Sequence, residues 1–355
     1  MDITIIKIIL PAITAFVFGI AITPLVTHYL YKHKIWKTKG GKKTIYGGEA
    51  NEFNKLKSIA EVKTPRMGGI VIWGSILITT CILFLLPHLS NHPFWNELAF
   101  VSRSQTWIPL TTLFIGAIVG LLNDIYDISK DQVGIRLRTR LLLISFLSGA
   151  ISWWFYSKLE VSQIGIPFAD SLYVGWWLIP IFIIFSLGVY ASGVIDGIDG
   201  LSGGVFAATF TAYTGIAFIQ MQFDIAAFSA MVVGAILAFL WFNIPPARFY
   251  MTETGTMALT LALAVVALMT DQLADGYGLS LFFIVGLPLI ATVLSNIVQL
   301  TYRKYTGQKL LRIAPLHHHF EAIGWPSYKV TMRYWIISVI CALLGVIISA
   351  ILSLS

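Results

Sequence analysis

Ten stretches of this chain are apolar for long enough to cross a lipid bilayer, and that limits its fold more than any other feature. They lie near residues 4–30, 67–88, 106–125, 140–157, 175–195, 201–221, 225–243, 256–272, 278–301 and 331–353. A helix of about 20 residues rises about 30 Å, the thickness of a hydrocarbon core. Of the 355 residues 57% are hydrophobic and 12% charged, with a mean hydropathy of +0.80. Soluble domains carry about a quarter charged residues. The expectation is an all-α integral membrane protein of about ten transmembrane helices, folded as one domain over 1–355. Pro11, Pro180 and Pro288 fall inside spans, where membrane helices tolerate kinks. The first stretch is long enough to span and lacks an A-x-A-like site, so it reads as a helix rather than a cleaved leader. No internal repeat or low-complexity tract is present.

Alternating the spans across the membrane sorts the loops. One side receives 31–66, 126–140, 196–200, 244–255 and 302–330. With Arg333, just inside the last span, that side holds all 24 Lys and Arg except Lys7, Arg103 and Lys158. The positive-inside rule makes it cytoplasmic and places both termini outside. The net charge of +7 is then expected to serve topology and contact with anionic membrane lipid, not nucleic acid. Cys81 and Cys341 lie in apolar runs without partners, so no disulfide is expected. Trp153, Trp154, Trp176 and Trp177 read as interfacial anchors.

The same topology gathers the acids. Asp124 and Asp127 close the third span, Asp196 and Asp199 close the fifth, and Glu253 precedes the eighth. His317, His318 and His319 lie in the last cytoplasmic loop. Ion-coupled transporters place such groups near the bilayer midplane. These stand at one membrane face instead, where a water-soluble substrate would meet a lipid. Asp124 and Asp196 fall at helix C-termini, where a carboxylate is disfavoured by about 0.3–1 kcal/mol. A cation beside them would reverse that sign. Glu253 falls at a helix start, where an acid is favoured.

Each cluster also has a plain reading. "VIDGIDGLSGG" reads equally as a tight turn capped by Asp199 or Ser202, and "NDIYDISKD" as a solvated helix end. "HHH" reads as a solvated loop or an adventitious metal binder, and "RMGG" as close helix packing. Their joint occurrence on one face favours chemistry, with Lys63, Arg66, Arg138 and Arg140 nearby to balance the charge. Acids, basic residues and a hard cation make a site for phosphoryl transfer. Mg²⁺ takes oxygen ligands, keeps several waters and needs only one or two carboxylates beside substrate phosphates. No Walker A sequence, dinucleotide fingerprint or HExxH is present.

These motifs carry a resemblance. "APLHHHFEAIGWPSYKVTMRYWIIS" (314–338) closely resembles the histidine segment of the MraY family, the phospho-N-acetylmuramoyl-pentapeptide transferases of the polyprenyl-phosphate N-acetylhexosamine-1-phosphate transferase superfamily. "KTPRMGGI" (63–70) looks like its first cytoplasmic motif, and "NDIYDISK" (123–130) occupies its Asp-Asp position. "GVIDGIDGLSGG" (193–204) and "NIPPARFYMTETGTMAL" (243–259) take the places of its next two motifs, in family order.

The resemblance implies transfer of phospho-MurNAc-pentapeptide from UDP-MurNAc-pentapeptide to undecaprenyl phosphate, giving lipid I and UMP. It implies Mg²⁺, a multi-pass location in the bacterial cytoplasmic membrane, and a homodimer. By position, Asp124 would stand near metal or phosphate. Asp196 would lie beside metal and diphosphate, and Glu253 in the place of the family's metal-ligand aspartate. Asp199 and Asn243 would hold the uridine, with Tyr250 packed on the uracil. Lys63 would bind substrate, and His317, His318 and His319 would contact phosphate or the sugar-peptide portion.

Four positions depart from the family pattern. Asn123 replaces the first aspartate of the pair, Thr252-Glu253 replaces Gly-Asp, and Gly193 replaces an asparagine. Asp127 stands where a lysine usually follows, unless Lys130 substitutes for it. A phosphate monoester already carries about −1.5 to −2 charge near neutral pH, so the acceptor needs no base to attack. The leading expectation is a working transferase that uses direct attack. The alternatives are a related transferase taking another UDP-N-acetylhexosamine, a degenerate homologue that only binds nucleotide-sugar or lipid, and a transporter.

Overall fold

Hydrocarbon offers no partner to a backbone N–H or C=O, so the apolar runs fold as helices that satisfy these groups internally. The computed structural model describes residues 2–37, 64–90, 92–129, 134–272 and 276–354. The expected Lys63 and Lys130 lie outside them. The long helices are α1 (Asp2–Lys32), α2 (Gly69–Leu89), α4 (Trp107–Ser129), α5 (Leu137–Lys158), α6 (Leu178–Ala191), α7 (Leu201–Ile219), α8 (Phe223–Asn243), α9 (Thr252–Gln272), α11 (Leu287–Thr306) and α13 (Ser327–Leu352). Short helices α3 (Pro93–Leu98), α10 (Gly278–Val285) and α12 (Leu316–Ala322) lie between them. The strands β1 (Gln163–Ile164) and β2 (Leu172–Tyr173) pair antiparallel in the loop after α5. Among the described residues eight helical spans are long and apolar enough to cross a membrane, and the bent pair α10–α11 makes a ninth. The fourth expected span, 140–157, is α5, a full-length helix of 22 residues that is less apolar than those eight.

The structure corrects the ninth span. Where a kink at Pro288 within one span over 278–301 was expected, the chain turns by 73° between α10 and α11. The break falls at Gly286, and Pro288 occupies the first turn of α11. Proline lacks an N–H, and its ring clashes with the carbonyl four residues earlier, so the helix cannot run straight through. The third span also differs from 106–125: α4 continues to Ser129, so Asp127 lies on helix rather than in the loop, and Asp124 stands five residues short of the helix end at which it was expected.

The centre of the bundle is α9, almost wholly buried, with α8 the next most enclosed. Around them α4, α2, α6 and α7 pack against α9, while α1 and α13 form much of the lipid-facing periphery. The threonines of α9 reach its axis without stranded hydroxyls: Thr256, Thr260 and Thr270 each donate to the carbonyl four residues back. Packing of α4 on α9 is close because Gly120 has no side chain. A Cβ there would stand 2.1 Å from the carbonyl oxygen of Glu253. That approach brings the acids of α4 up to the start of α9.

Candidate active site

Five segments meet at one end of the bundle: 64–69, the last turns of α4, the turn 192–200, the start of α9, and α12. The first is fixed by backbone pairing with the segment before α9. Tyr250 N–H donates to Pro65 O (2.8 Å), Gly68 N–H to Tyr250 O (2.7 Å) and Gly69 N–H to Met251 O (3.2 Å).

Thr252 is the hub. Its N–H donates to Asp196 Oδ2 at 2.8 Å, its hydroxyl donates to Asp124 Oδ2 at 2.5 Å, and the same hydroxyl accepts from Met67 N–H at 3.1 Å. Thr254 adds two donors to Asp124 Oδ2, from its N–H (2.8 Å) and its hydroxyl (2.6 Å). Asp124 Oδ1 is buried with no hydrogen-bond partner, and Arg66 Nη2 stands 3.7 Å from it. Ser202 Oγ donates to Asp196 Oδ1 at 2.7 Å. Ser202 is therefore spent on a catalytic candidate and caps nothing. Helix α7 instead begins after Gly200, without a side-chain cap. Burial pushes the Asp196 carboxyl above its usual range, and Asp124 adds to this; Ser202, Thr252 and Arg66 oppose it. A cation beside Asp196 would favour its charged form.

The remaining acids are paired. Asp127 Oδ2 lies 3.1 Å from Arg66 Nη2 and 3.2 Å from Lys37 Nζ. Glu253, in the first turn of α9, is ion-paired with Arg140 of α5. Asn123 Oδ1 accepts from Ile135 N–H at 2.9 Å, so it ties down the far side of the α4–α5 connection. Gly193 lies on the 3₁₀ turn Ser192–Ile195 against Thr256.

Beside this centre, Asp199 Oδ2 accepts from Ala247 N–H at 3.0 Å. Asn243 bridges two backbones: Oδ1 accepts from Gly200 N–H (3.0 Å) and Nδ2 donates to Phe249 O (2.8 Å). Phe249 is fully buried among Phe239 and Phe242, whereas Tyr250 is half-buried and reaches the surface.

The histidines divide. His317 and His318, on α12, pack their Nε2 edges onto Gly197; a Cβ there would lie 2.8 and 2.5 Å from those nitrogens. The bare backbone of Gly197 is what lets two imidazoles stand beside Asp196. His318 Nδ1 is 2.7 Å from Glu321 Oε2, and Ser327 Oγ donates to Glu321 Oε1 at 2.5 Å. That carboxylate favours the Nδ1–H tautomer and leaves Nε2 facing the turn. His319 Nδ1 instead accepts from Arg312 N–H at 3.2 Å, holding the preceding loop.

The structure thus brings Asp124, Asp196, Glu253, His317 and His318 to one centre and Asp199, Asn243 and Tyr250 to its flank. Sequence reasoning did not single out Thr252, the residue that joins the two central carboxylates. Its signal was present as the threonine replacing the family's glycine. Arg66 was visible only as one of several nearby cations.

The Glycosyl transferase family 4 model matches residues 106–271 of the chain. A phospho-N-acetylmuramoyl-pentapeptide-transferase of Bacillus mycoides (strain KBAB4) is 33% identical over 338 residues, 94% of this chain and 95% of that protein. Proteins of the same name from Bacillus anthracis and Bacillus thuringiensis (strain Al Hakam) are 32% and 31% identical over the same coverage. The order of the motifs, their convergence in space and this near full-length similarity agree: the chain belongs to the phospho-N-acetylmuramoyl-pentapeptide transferase family.

Proposed function

We propose that this multi-pass membrane protein transfers phospho-MurNAc-pentapeptide from UDP-MurNAc-pentapeptide to undecaprenyl phosphate at the cytoplasmic face of a bacterial membrane. The observation that carries the reading is the Asp124–Thr252–Asp196 bridge, with a buried carboxylate oxygen left over and two imidazole edges beside it. An oxygen of the lipid phosphate attacks the sugar-bearing phosphorus. That P–O bond forms as the bond from the same phosphorus to the bridging oxygen breaks, and UMP leaves with the electron pair. The attacking monoester is already ionised, so no side chain has to take a proton. Asn123, which cannot ionise and is bonded to Ile135, is no obstacle to this route. Asp199 and Tyr250 bind the uridine end, and Asn243 holds the turn that presents Asp199. His317 and His318 face the phosphates or sugar from across Gly197.

The carboxylates fit Mg²⁺. Asp124 Oδ1 is a buried hard-oxygen donor without a hydrogen bond, and Asp196 is tied to the same threonine. Among the described residues no three His, Cys, Asp or Glu are grouped to hold a metal alone, as suits an ion shared with substrate phosphates. Asp124 and Asp196 would hold it, with Glu253 at the edge and engaged by Arg140. When bound, the ion supplies neutralisation of charge on the diphosphate.

The deciding experiment is UMP release by purified protein from UDP-MurNAc-pentapeptide and undecaprenyl phosphate, with and without Mg²⁺. Release only with Mg²⁺ and both substrates is expected. Release from UDP-GlcNAc instead would indicate a sister specificity, and nucleotide binding without release would indicate a binding homologue. Asp196→Asn should lower kcat by about 100-fold or more while KM for the donor changes by less than about threefold.

A further inference from the structure

The acids of the site have three cationic partners among the described residues, and these differ in what they are free to do. Arg140 is committed to Glu253. Lys37 reaches only Asp127. Arg66 stands between Asp127, 3.1 Å away, and Asp124, 3.7 Å away. Its Nε, like that of Arg140, is buried with no hydrogen-bond partner, so one donor of its guanidinium is unused.

The backbone around Arg66 is pinned on both sides. Its own N–H donates to Ile35 O at 2.8 Å, Pro65 O accepts from Tyr250, and Met67 N–H donates to the Thr252 hydroxyl. The guanidinium is therefore delivered to the centre by a built segment. Asp127 is served twice, by Arg66 and by Lys37. When Arg66 turns to an incoming anion, Asp127 keeps Lys37, and Asp124 keeps its three hydrogen bonds from Thr252 and Thr254.

We propose that Arg66 is the phosphate-binding cation of this site, receiving the diphosphate of the donor while Lys37 keeps Asp127 neutralised. The proposal rests on the nucleotide-sugar reading given above. A guanidinium offers paired N–H donors that match two phosphate oxygens, which a lone ammonium does not.

Titration calorimetry of the full chain in detergent, with uridine, UMP and UDP as probes, tests it. In the wild type affinity should rise with phosphate number. Arg66→Gln should weaken UDP by about tenfold or more and leave uridine within about twofold, whereas Arg66→Lys should keep part of the UDP preference. Asp127→Asn releases Arg66 from its ion pair, so UDP affinity should hold or increase. Unchanged UDP binding in Arg66→Gln overturns the proposal. So does a parallel loss of uridine, or a loss in Asp127→Asn as large as that in Arg66→Gln, since each marks a structural role. Failure of the wild type to bind UDP at all would overturn the nucleotide reading itself, and this inference with it.

Discussion

At the scale of single residues, Thr252, which stands where the family resemblance implies a glycine, holds the site together through a strained backbone. Its φ is +54°, a left-handed conformation that costs a β-branched residue about 1–2 kcal/mol and that glycine adopts freely. In return its N–H and hydroxyl bind two carboxylates, and hydrogen bonds to charged groups contribute about 1.5–3 kcal/mol each. Thr252→Val keeps the strain and the shape but removes the hydroxyl, leaving Asp124 short of a donor and Met67 N–H without its acceptor. Thermal unfolding in detergent should show a loss of about 2–4 kcal/mol, and UMP release should fall with it. Thr252→Gly loses the same bonds but relieves the backbone, so it should be the milder change. Asn123→Asp tests the base-free route: its oxygen can still accept from Ile135, and the added charge lies beside Asp124 and Asp127. Turnover should change by less than about threefold or decline, and a large gain would show that an ionisable group is needed there. The acids of this site were legible in sequence because charge is conspicuous in apolar surroundings. Thr252 and Ser202 were not, because a hydroxyl residue is ordinary in sequence and becomes special only through a backbone angle or a partner 56 or 6 residues away.

At the scale of elements, the break between α10 and α11 decides where the histidines go. Helix α11 leaves the bundle at its bend and holds the loop before α12 with one side chain. Gln299 Nε2 donates to Leu311 O (3.1 Å), and its Oε1 accepts from Leu310 N–H (3.2 Å) and Leu311 N–H (2.8 Å). Ser295 Oγ then accepts from Leu316 N–H at 2.9 Å, at the first residue of α12. Gln299→Ala removes three bonds from a buried side chain, at about 0.5–1.5 kcal/mol each. Amide exchange over 308–316 should quicken while the bundle core stays protected, and UMP release should drop through misplacement of His317 and His318. Normal activity with an unprotected loop would show that the loop does not position α12. The spans themselves were readable from length and hydropathy alone. The break was signalled only by Pro288, which does not tell a mild kink from a 73° turn. Helix α12 was hidden inside a polar loop, because its seven residues are held by tertiary contacts rather than by periodicity.

At the scale of the whole molecule, the argument from charge and the argument from chemistry make the same demand. The acids, Arg66, Arg140 and the histidines share the end of the bundle that carries nearly all of the lysines and arginines. A donor bearing a nucleoside diphosphate must arrive from the cytoplasm, and the positive-inside rule independently assigns that end to the cytoplasm. Asp124 lies in the last two turns of α4 and Trp107 begins it, so the β1–β2 hairpin, which follows the far end of α5, must lie on the opposite side. Two exposed tyrosines mark the two faces: Tyr173 on the hairpin, 72% exposed, and Tyr305 near the end of α11, 80% exposed. In a background with Cys81 and Cys341 replaced by serine, Tyr173→Cys should react with a membrane-impermeant maleimide on intact cells. Tyr305→Cys should react only after permeabilisation. The reverse pattern would put the site outside, away from cytoplasmic nucleotide-sugars, and would overturn both the orientation and the transfer reaction derived from it. Labelling of both from outside would contradict the packed span count, since five spans, an odd number, lie between the two tyrosines. The same two variants therefore test topology and function together, without requiring the protein to turn over.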